Sequence, residues 1–427
     1  MKDSSTKKLL ILSFYAPPLN GVSSYRIDSF VKDLSSLDFD VTLVTRHWKE
    51  SFENWDDILV SNNKAIECIN ITNRARVHYL PFKQKIKDHS NKLINTFAAA
   101  FNYLKGNIQP ELDFYYQYKD FCDNLVKNEN FDMILVSAPP NNMVRIGYFL
   151  NRKYKVPFVI DYRDFFNNQF LVNNPKLKFS QVLLNRISQF YLKRWTKHAS
   201  FIISVSPQIN QICNKIFNKE CYLITNGFVE DFCDKNLFDR NEIFTIRYIG
   251  TAYAFQDFSI IIAGLNKFLK EERDKKIRIE IIGLNSEKIE NIFKQNYTPD
   301  ILTVIKRRIP IKDVIVKTKC SDVLLLPWNN FSGVYGTKVF DYVASGSHIL
   351  LSPSDNNLVE DLIKETKSGT ICNNLDEVYN FLIEEYNKWL NQSNKIELND
   401  TVYKYSRKNI SIKLNRRLME LIDANNT

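Results

Sequence analysis

Phe331-Ser-Gly-Val-Tyr-Gly-Thr-Lys-Val-Phe-Asp-Tyr-Val-Ala-Ser-Gly346 follows directly on the apolar run Asp322-Val-Leu-Leu-Leu-Pro-Trp328. The order is a buried strand, a glycine-bearing loop and a helix that opens near Thr337. A helix start preceded by Gly333 and Gly336 presents free backbone N–H groups and the positive end of the helix dipole, which suits a phosphate. Lys338 lies in the first turn, where it adds a point charge. Asp341 follows one turn later on the same face, where its carboxylate can accept hydrogen bonds from sugar hydroxyls. The stretch reads as a pocket for a nucleoside diphosphate.

The chain has 427 residues, more than one core usually supports, so two domains are expected. Apolar residues make up 44% of it, enough to build both. No run of 18 apolar residues occurs, so no helix is expected to span a bilayer. Met1-Lys-Asp-Ser-Ser-Thr-Lys-Lys8 is polar and leads straight into a strand, unlike a secretory signal. The seven cysteines (Cys68, Cys122, Cys213, Cys221, Cys233, Cys320, Cys372) form no Cys-x-x-Cys pair. They read as free thiols of a reducing cytosol rather than a disulfide framework or a zinc site. The net charge of +10 favours an anionic partner. Without a nucleic-acid module or dense basic tail, nucleic acid is not the expected one, and a negatively charged membrane surface or anionic small molecules fit better.

Only 11 glycines occur. Eight of them (Gly21, Gly227, Gly250, Gly283, Gly333, Gly336, Gly346, Gly369) fall in or beside loops after expected strands. In open α/β sheets such loops form the ligand crevice. Glycine is therefore read as kept where backbone must turn or approach a ligand.

Lys8–Phe14 is a continuous apolar run, the mark of a strand buried on both faces. Tyr15–Gly21 breaks it, a helix is expected over Ser24–Leu37, and Val41–Thr45 is the next strand. Further strands are expected at Val77–Pro81, Phe131–Ser137, Pro157–Asp161, Phe201–Ser206 and Cys221–Gly227. The polar stretch Glu230–Glu242 reads as a linker. The alternation restarts with strands at Phe244–Gly250, Ile277–Gly283, Val304–Ile309, Asp322–Pro327 and His348–Leu351. Helices are expected at Ser259–Lys270, Glu287–Gln295, Ile311–Lys319 and Thr337–Ala344, and the chain ends in a basic helix at Thr401–Ala424. Strands alternating with helices imply an α/β protein with two consecutive parallel sheets.

Two such sets resemble a GT-B glycosyltransferase, in particular the retaining family 4 enzymes of bacterial capsule, O-antigen and exopolysaccharide assembly. Four segments carry the resemblance: Leu10–Arg26; Ser137-Ala-Pro-Pro140 with Val159-Ile-Asp-Tyr-Arg-Asp164; Ser204-Val-Ser-Pro207 with Thr225-Asn-Gly227; and Gly336–Gly346. They run in the family's order over nearly the whole chain. The resemblance implies two Rossmann-like doubly wound domains facing a central cleft. Residues 1–232 would form the acceptor-side domain, joined by the C-terminal helix 401–425. Residues 240–400 would hold the nucleotide sugar.

In this family Lys338 would contact the diphosphate, and Asp341 would stand where a glutamate binds the nucleotide ribose. Gly336 and Thr337 open that helix. Gly250 and Thr251 would form the first donor loop, where the family often carries an arginine and a lysine. Here Arg247 lies inside the strand and the next lysine is Lys267, so Lys338 and backbone N–H groups would carry the phosphate. Gly21 and Val22 would face the same diphosphate. The family's Glu-x7-Glu pattern would place an acid at Gly333, and this chain departs from it. Arg163 and Asp164, at an acceptor-side strand end, would stabilise the leaving phosphate and accept the acceptor proton; a structural ion pair is the other reading of the two. The expected partners are a nucleoside diphosphate sugar and a glycan or polyprenyl-linked acceptor, with no metal and no further cofactor. A sugar-nucleotide epimerase and an inert, partner-binding GT-B subunit remain as alternatives.

Asp38-Phe-Asp40 reads as a turn rather than a metal motif, and His47-Trp48 as packed aromatics. The five histidines show no ligand spacing. Two segments, Lys83–Leu104 and Lys176–Lys197, combine basic residues with aromatics at helical spacing. Each reads either as a helix lying on an anionic bilayer or as one packing on its own domain. The expected location is cytoplasmic, with peripheral attachment to the inner face of the membrane.

Overall fold

A computed structural model describes residues 6–48, 62, 64–82, 101–108, 114–164, 179–233, 241–253, 256–271, 276–307, 309–328, 333–392 and 395–426. The chain forms two compact units, one of residues 1–225 with 411–427 and one of residues 226–410.

The first unit contains β1 (Lys7–Ser13), α1 (Val22–Ser36), β2 (Phe39–Arg46), β3 (Glu67–Thr72), β4 (Ala75–Leu80), α2 (Tyr115–Asn128), β5 (Met133–Ala138) and α3 (Asn142–Tyr154). It continues with β6 (Phe158–Tyr162), α4 (Phe179–Thr196), β7 (Ile202–Ser204), α5 (Pro207–Phe217) and β8 (Cys221–Leu223). Among the described residues the sheet order is β3-β4-β2-β1-β5-β6-β7-β8. All pairs are parallel except the β3–β4 hairpin. β1, β5 and β6 are buried on both faces, as continuous apolar runs require. The sequence reading missed β3, whose residues are exposed and lack an apolar run to announce a strand.

The second unit contains β9 (Phe244–Ile249), α6 (Ser259–Glu271), β10 (Ile277–Ile282), α7 (Glu287–Asn296), β11 (Leu302–Ile305), α8 (Ile311–Lys319) and β12 (Val323–Leu326). There follow α9 (Thr337–Ala344), β13 (His348–Leu351), α10 (Leu358–Thr366), β14 (Gly369–Ile371), α11 (Leu375–Leu390) and α12 (Asp400–Tyr403). The last helix, α13 (Arg407–Asn426), begins in this unit and ends in the first. The sheet order is β11-β10-β9-β12-β13-β14, all parallel. One face buries Ile246, Ile279, Ile281 and Val378, the other Ile249, Leu324, Leu326 and Phe340.

Two expected boundaries shift. The chain passes into the second unit at Asn226, before the polar stretch expected as linker, because Phe228 and Phe232 are buried in that unit's core. The single C-terminal helix expected over 401–424 is α12 and α13, separated at Lys404–Ser406. Phe228 N–H donates to the Tyr405 carbonyl and Arg407 N–H to the Phe228 carbonyl across that break.

Candidate functional site

In the second sheet the chain leaves β9 for β10 on one side and returns to β12 on the other. The loops after β9 and β12 therefore diverge, which opens a crevice at the carboxyl ends of these strands. Gly250 ends β9 with φ of +120°, a backbone conformation open to glycine and strained for other residues. A Cβ placed there would stand 3.3 Å from Cε and 3.4 Å from Nζ of Lys338, so the lysine stem lies directly over the glycine.

Lys338 is in the first turn of α9, and no side chain caps that N-terminus. Its ammonium donates to Tyr248 Oη at 2.5 Å and to the Thr251 carbonyl at 3.0 Å, and it lies 4.1 Å from the centre of the Tyr248 ring. Among the described residues it has no carboxylate partner. Burial lowers its pKa to about 7. Tyr248 is itself fixed, since its hydroxyl lies 2.8 Å from Gln256 Oε1 and 2.9 Å from the Thr251 carbonyl. Gln256 also donates to the Pro327 carbonyl beyond β12 at 3.0 Å and accepts from Tyr253 N–H. Tyr248 and Gln256 thus join the two loops that define the crevice.

Asp341 accepts no hydrogen bond among the described residues. Burial pushes its carboxyl up to about 7, while Arg407 pulls it in the opposite direction. Arg407 is anchored by an Nε bond to the Gly227 carbonyl at 2.8 Å. Gly336 occupies the N-cap of α9, where a Cβ would meet the Trp328 ring at 2.9 Å. Thr337 begins the helix. Thr251, Thr337, Lys338 and Asp341 are all partly exposed.

The first sheet has the same topological feature between β1 and β5. α1 starts at Val22, earlier than expected, so Gly21 is its N-cap. Gly21 has an extended backbone, and among the described residues a Cβ there would meet no atom nearer than Leu19 Cγ at 4.0 Å. Packing therefore does not demand glycine at this position. Val22 is exposed.

Beneath this loop lies a closed ion pair. Arg26 Nε and Nη2 bond Asp161 Oδ2 and Oδ1 at 3.0 and 2.9 Å, with both side chains buried. Arg26 also donates to the Thr225 and Ile224 carbonyls at 2.7 and 2.8 Å. Arg163 donates from Nη2 to the Pro139 carbonyl at 2.6 Å, and its guanidinium carbon lies 5.6 Å from the Tyr15 ring centre. Its Nε is buried and has no partner among the described residues, and burial lowers its pKa. Asp164 is exposed at the strand end.

The structure thus groups Gly250, Thr251, Gly336, Thr337, Lys338 and Asp341 in one unit, and Gly21, Val22, Arg163 and Asp164 in the other. Sequence reasoning missed Tyr248, Gln256, and the pairing of Arg26 with Asp161. Tyr248 lies inside the strand expected at Phe244–Gly250, and nothing in the spacing singles out its hydroxyl. The glycine reading needs correction at Gly227 and Gly369, where a Cβ would collide with the Tyr405 and Ile349 carbonyl oxygens. Those glycines serve close packing. Trp48 is buried and donates to the Phe14 carbonyl at 2.9 Å, and His47 stacks on Tyr79, so both are packed aromatics. Asp38 accepts from Asn415 at 2.6 Å and Asp40 pairs with Arg74. Lys83, Lys85, Lys87, Lys92, Phe97, Lys176, Lys178 and Phe331 lie outside the described residues, as does the side chain of Phe179.

No protein-family model and no curated protein sequence matches the chain. Solved structures do. Sucrose-phosphate synthase from Thermosynechococcus elongatus is 11% identical, covers 98% of this chain and 100% of its own, and has a TM-score of 0.62. A glycosyltransferase from Rickettsia africae is 11% identical over 98% of this chain and 99% of its own, with a TM-score of 0.61. The Anabaena protein HepE, solved with UDP and glucose, is 11% identical over 97% of this chain and 100% of its own, with a TM-score of 0.60. At such identity the likeness is one of fold. The chain has the GT-B fold of two Rossmann-like domains, along its whole length.

Proposed function

We propose that this chain is a glycosyltransferase that moves a sugar from a nucleoside diphosphate sugar to a hydroxyl of a glycan acceptor. The observation that carries the reading is Lys338, an ammonium without a counter-ion among the described residues, beside an uncapped helix N-terminus at the switch point of the second sheet. A diphosphate would supply the missing charge, and the N–H groups of Thr337 and Lys338 would join it. Asp341, a carboxylate without a donor among the described residues, would accept from the ribose hydroxyls. Gly250 and Thr251 form the wall under the lysine. The space over Gly21, which the packing of the described residues leaves open, would allow close approach of a ligand to the backbone of Gly21 and Val22.

Within the same reading, Asp164 accepts the acceptor proton and Arg163 balances charge on the leaving diphosphate. The family resemblance supports retention of anomeric configuration, a metal-independent reaction, and a lipid-linked acceptor in surface polysaccharide synthesis. HepE was solved in complex with UDP and glucose, which favours a UDP-sugar as the first donor to try. A cytoplasmic protein held peripherally at the membrane would meet both substrates.

The test is calorimetry with a panel of nucleoside diphosphate sugars, followed by turnover of the best donor. Parent protein should bind one of them, and Asp164→Asn should bind it equally while losing about 100- to 10,000-fold in turnover. A folded protein that binds none of them would overturn the reading.

A further inference from the structure

In the first unit, residues 101–104 are helical and run into Lys105 and Gly106 beside α4. A Cβ on Gly106 would meet the Tyr191 ring at 3.1 Å and the Trp195 ring at 3.4 Å. Tyr191 Oη donates to the Leu104 carbonyl, and Arg145 of α3 donates to the Lys105 carbonyl at 2.8 Å. Two segments far apart in sequence are thereby joined into one surface.

The composition of that surface is unusual. Among residues 182–197, the exposed ones are Leu183, Arg186, Phe190, Lys193, Arg194 and Lys197. Leu183, Arg186, Phe190 and Arg194 fall at three- and four-residue steps, so they form one stripe along α4, with Lys197 just beyond its end. On the neighbouring segment the exposed residues of 101–105 are Phe101, Leu104 and Lys105. No aspartate or glutamate occurs in 101–108, in 142–154 or in 179–197. Leu104 is 65% exposed and Phe190 62%. An ordinary solvent-facing helix surface mixes both charges with small polar groups; here, among the described residues, the exposed side chains are all large apolar groups or cations.

We infer that this face, formed by Phe101, Leu104 and Lys105 together with the outer stripe of α4, docks the protein on an anionic lipid bilayer. It rests on the proposed peripheral location, which it makes specific, and it does not require the glycosyltransfer reading. The cations meet lipid phosphates, and the apolar side chains between them enter the interface. Lys105 Nζ lies 4.1 Å from the Phe101 ring centre, so an apolar group and a charge already share one spot. A nucleic acid would use the cations but would gain little from Leu104 and Leu183, which cannot stack on bases.

The experiment is sedimentation of the full chain with vesicles of phosphatidylcholine alone, or of phosphatidylcholine mixed with phosphatidylglycerol. Parent protein should bind the mixed vesicles at least ten-fold more tightly. Arg186→Glu/Lys193→Glu/Arg194→Glu should lose more than ten-fold of that binding, and Leu104→Ser/Phe190→Ser several-fold. Lys276→Glu/Lys288→Glu/Lys312→Glu, which makes the same charge change on exposed lysines of the other unit, should retain it. All variants should keep the parent's circular dichroism and its donor affinity. Equal loss in the two charge-reversed variants would reduce the effect to net charge and overturn the assignment. Indifference to Leu104→Ser/Phe190→Ser, with tighter binding to single-stranded RNA than to vesicles, would overturn it in favour of nucleic acid. Loss of donor binding in parent protein with vesicle binding intact would strike the enzymatic reading alone.

Discussion

The two switch points share a topology and differ in how their charge is used. In the first unit Arg26 has its counter-charge: a bidentate carboxylate and two carbonyls take four of its five N–H donors. In the second, Lys338 is held by one hydroxyl and one carbonyl, and burial lowers its pKa to about 7. A paired buried charge organises a loop; an unpaired one recruits a counter-ion. The difference sets a structural role for the Arg26–Asp161 pair against the anion binding proposed for Lys338, although sequence spacing presents both as polar residues near glycine loops.

Breaking the closed pair should have the largest effect. Asp161→Ala leaves Arg26 buried without its counter-charge and should cost about 3–5 kcal/mol. The paired replacement Arg26→Met/Asp161→Leu should cost much less, because no orphan charge remains. Chemical denaturation of the first unit measures both. A cost below about 1 kcal/mol for Asp161→Ala would mean that water or a ligand replaces the pair, and the contrast between the two sites would fail.

At the open site the loss should appear in binding. Lys338→Ala should weaken UDP-glucose binding by about 1.5–3 kcal/mol, the range for a charge-assisted hydrogen bond. Unchanged affinity by calorimetry would return Lys338 to a structural role. Tyr248→Phe should weaken it by a smaller amount, about 0.5–1.5 kcal/mol, because the lysine keeps the Thr251 carbonyl but loses its second anchor. The effect should fall on KM and spare kcat. A change in kcat alone would place Tyr248 outside the donor site.

Much of this was legible in the sequence, and the reason is periodicity. Strands buried on both faces, such as β1 and β12, must be continuous apolar runs, so the alternation of the fold stood in plain view. The helix start at Thr337 and the positions of Lys338 and Asp341 followed from local spacing. Contacts between distant positions did not. Nothing near Tyr248 says that its hydroxyl meets a lysine ninety positions later, and nothing near Arg26 announces Asp161. Spacing also misassigned Gly227 and Gly369, because a glycine that admits a neighbouring carbonyl and one that admits a ligand look alike before packing is known. The stripe on α4 was readable as basic and aromatic, but its join to Leu104 through Tyr191 was not.

The smallest effect, and the sharpest probe of the open site, is proton linkage. In the free protein the pKa of Lys338 is about 7, well below the ordinary lysine value, so near pH 8 most of the population is neutral. A bound diphosphate favours the ammonium and raises that pKa. Binding of UDP-glucose near pH 8 should therefore take up protons, to a limit of about one per site. Asp341 has the opposite sign. Its carboxyl also sits near 7, so near pH 6 it is mostly protonated, and ribose hydroxyls that donate to the carboxylate lower its pKa and release a proton. The proton balance of binding should thus change from release to uptake as pH rises through about 7. Calorimetry in buffers of different ionisation enthalpy reads it directly, and the diphosphate of UDP-glucose carries no terminal phosphate to titrate in this range. Lys338→Ala should abolish the uptake and leave the release, and Asp341→Asn should do the reverse. A balance that stays at zero in the parent across this range would show that neither group changes its charge on binding, and the second switch point would then be as closed as the first.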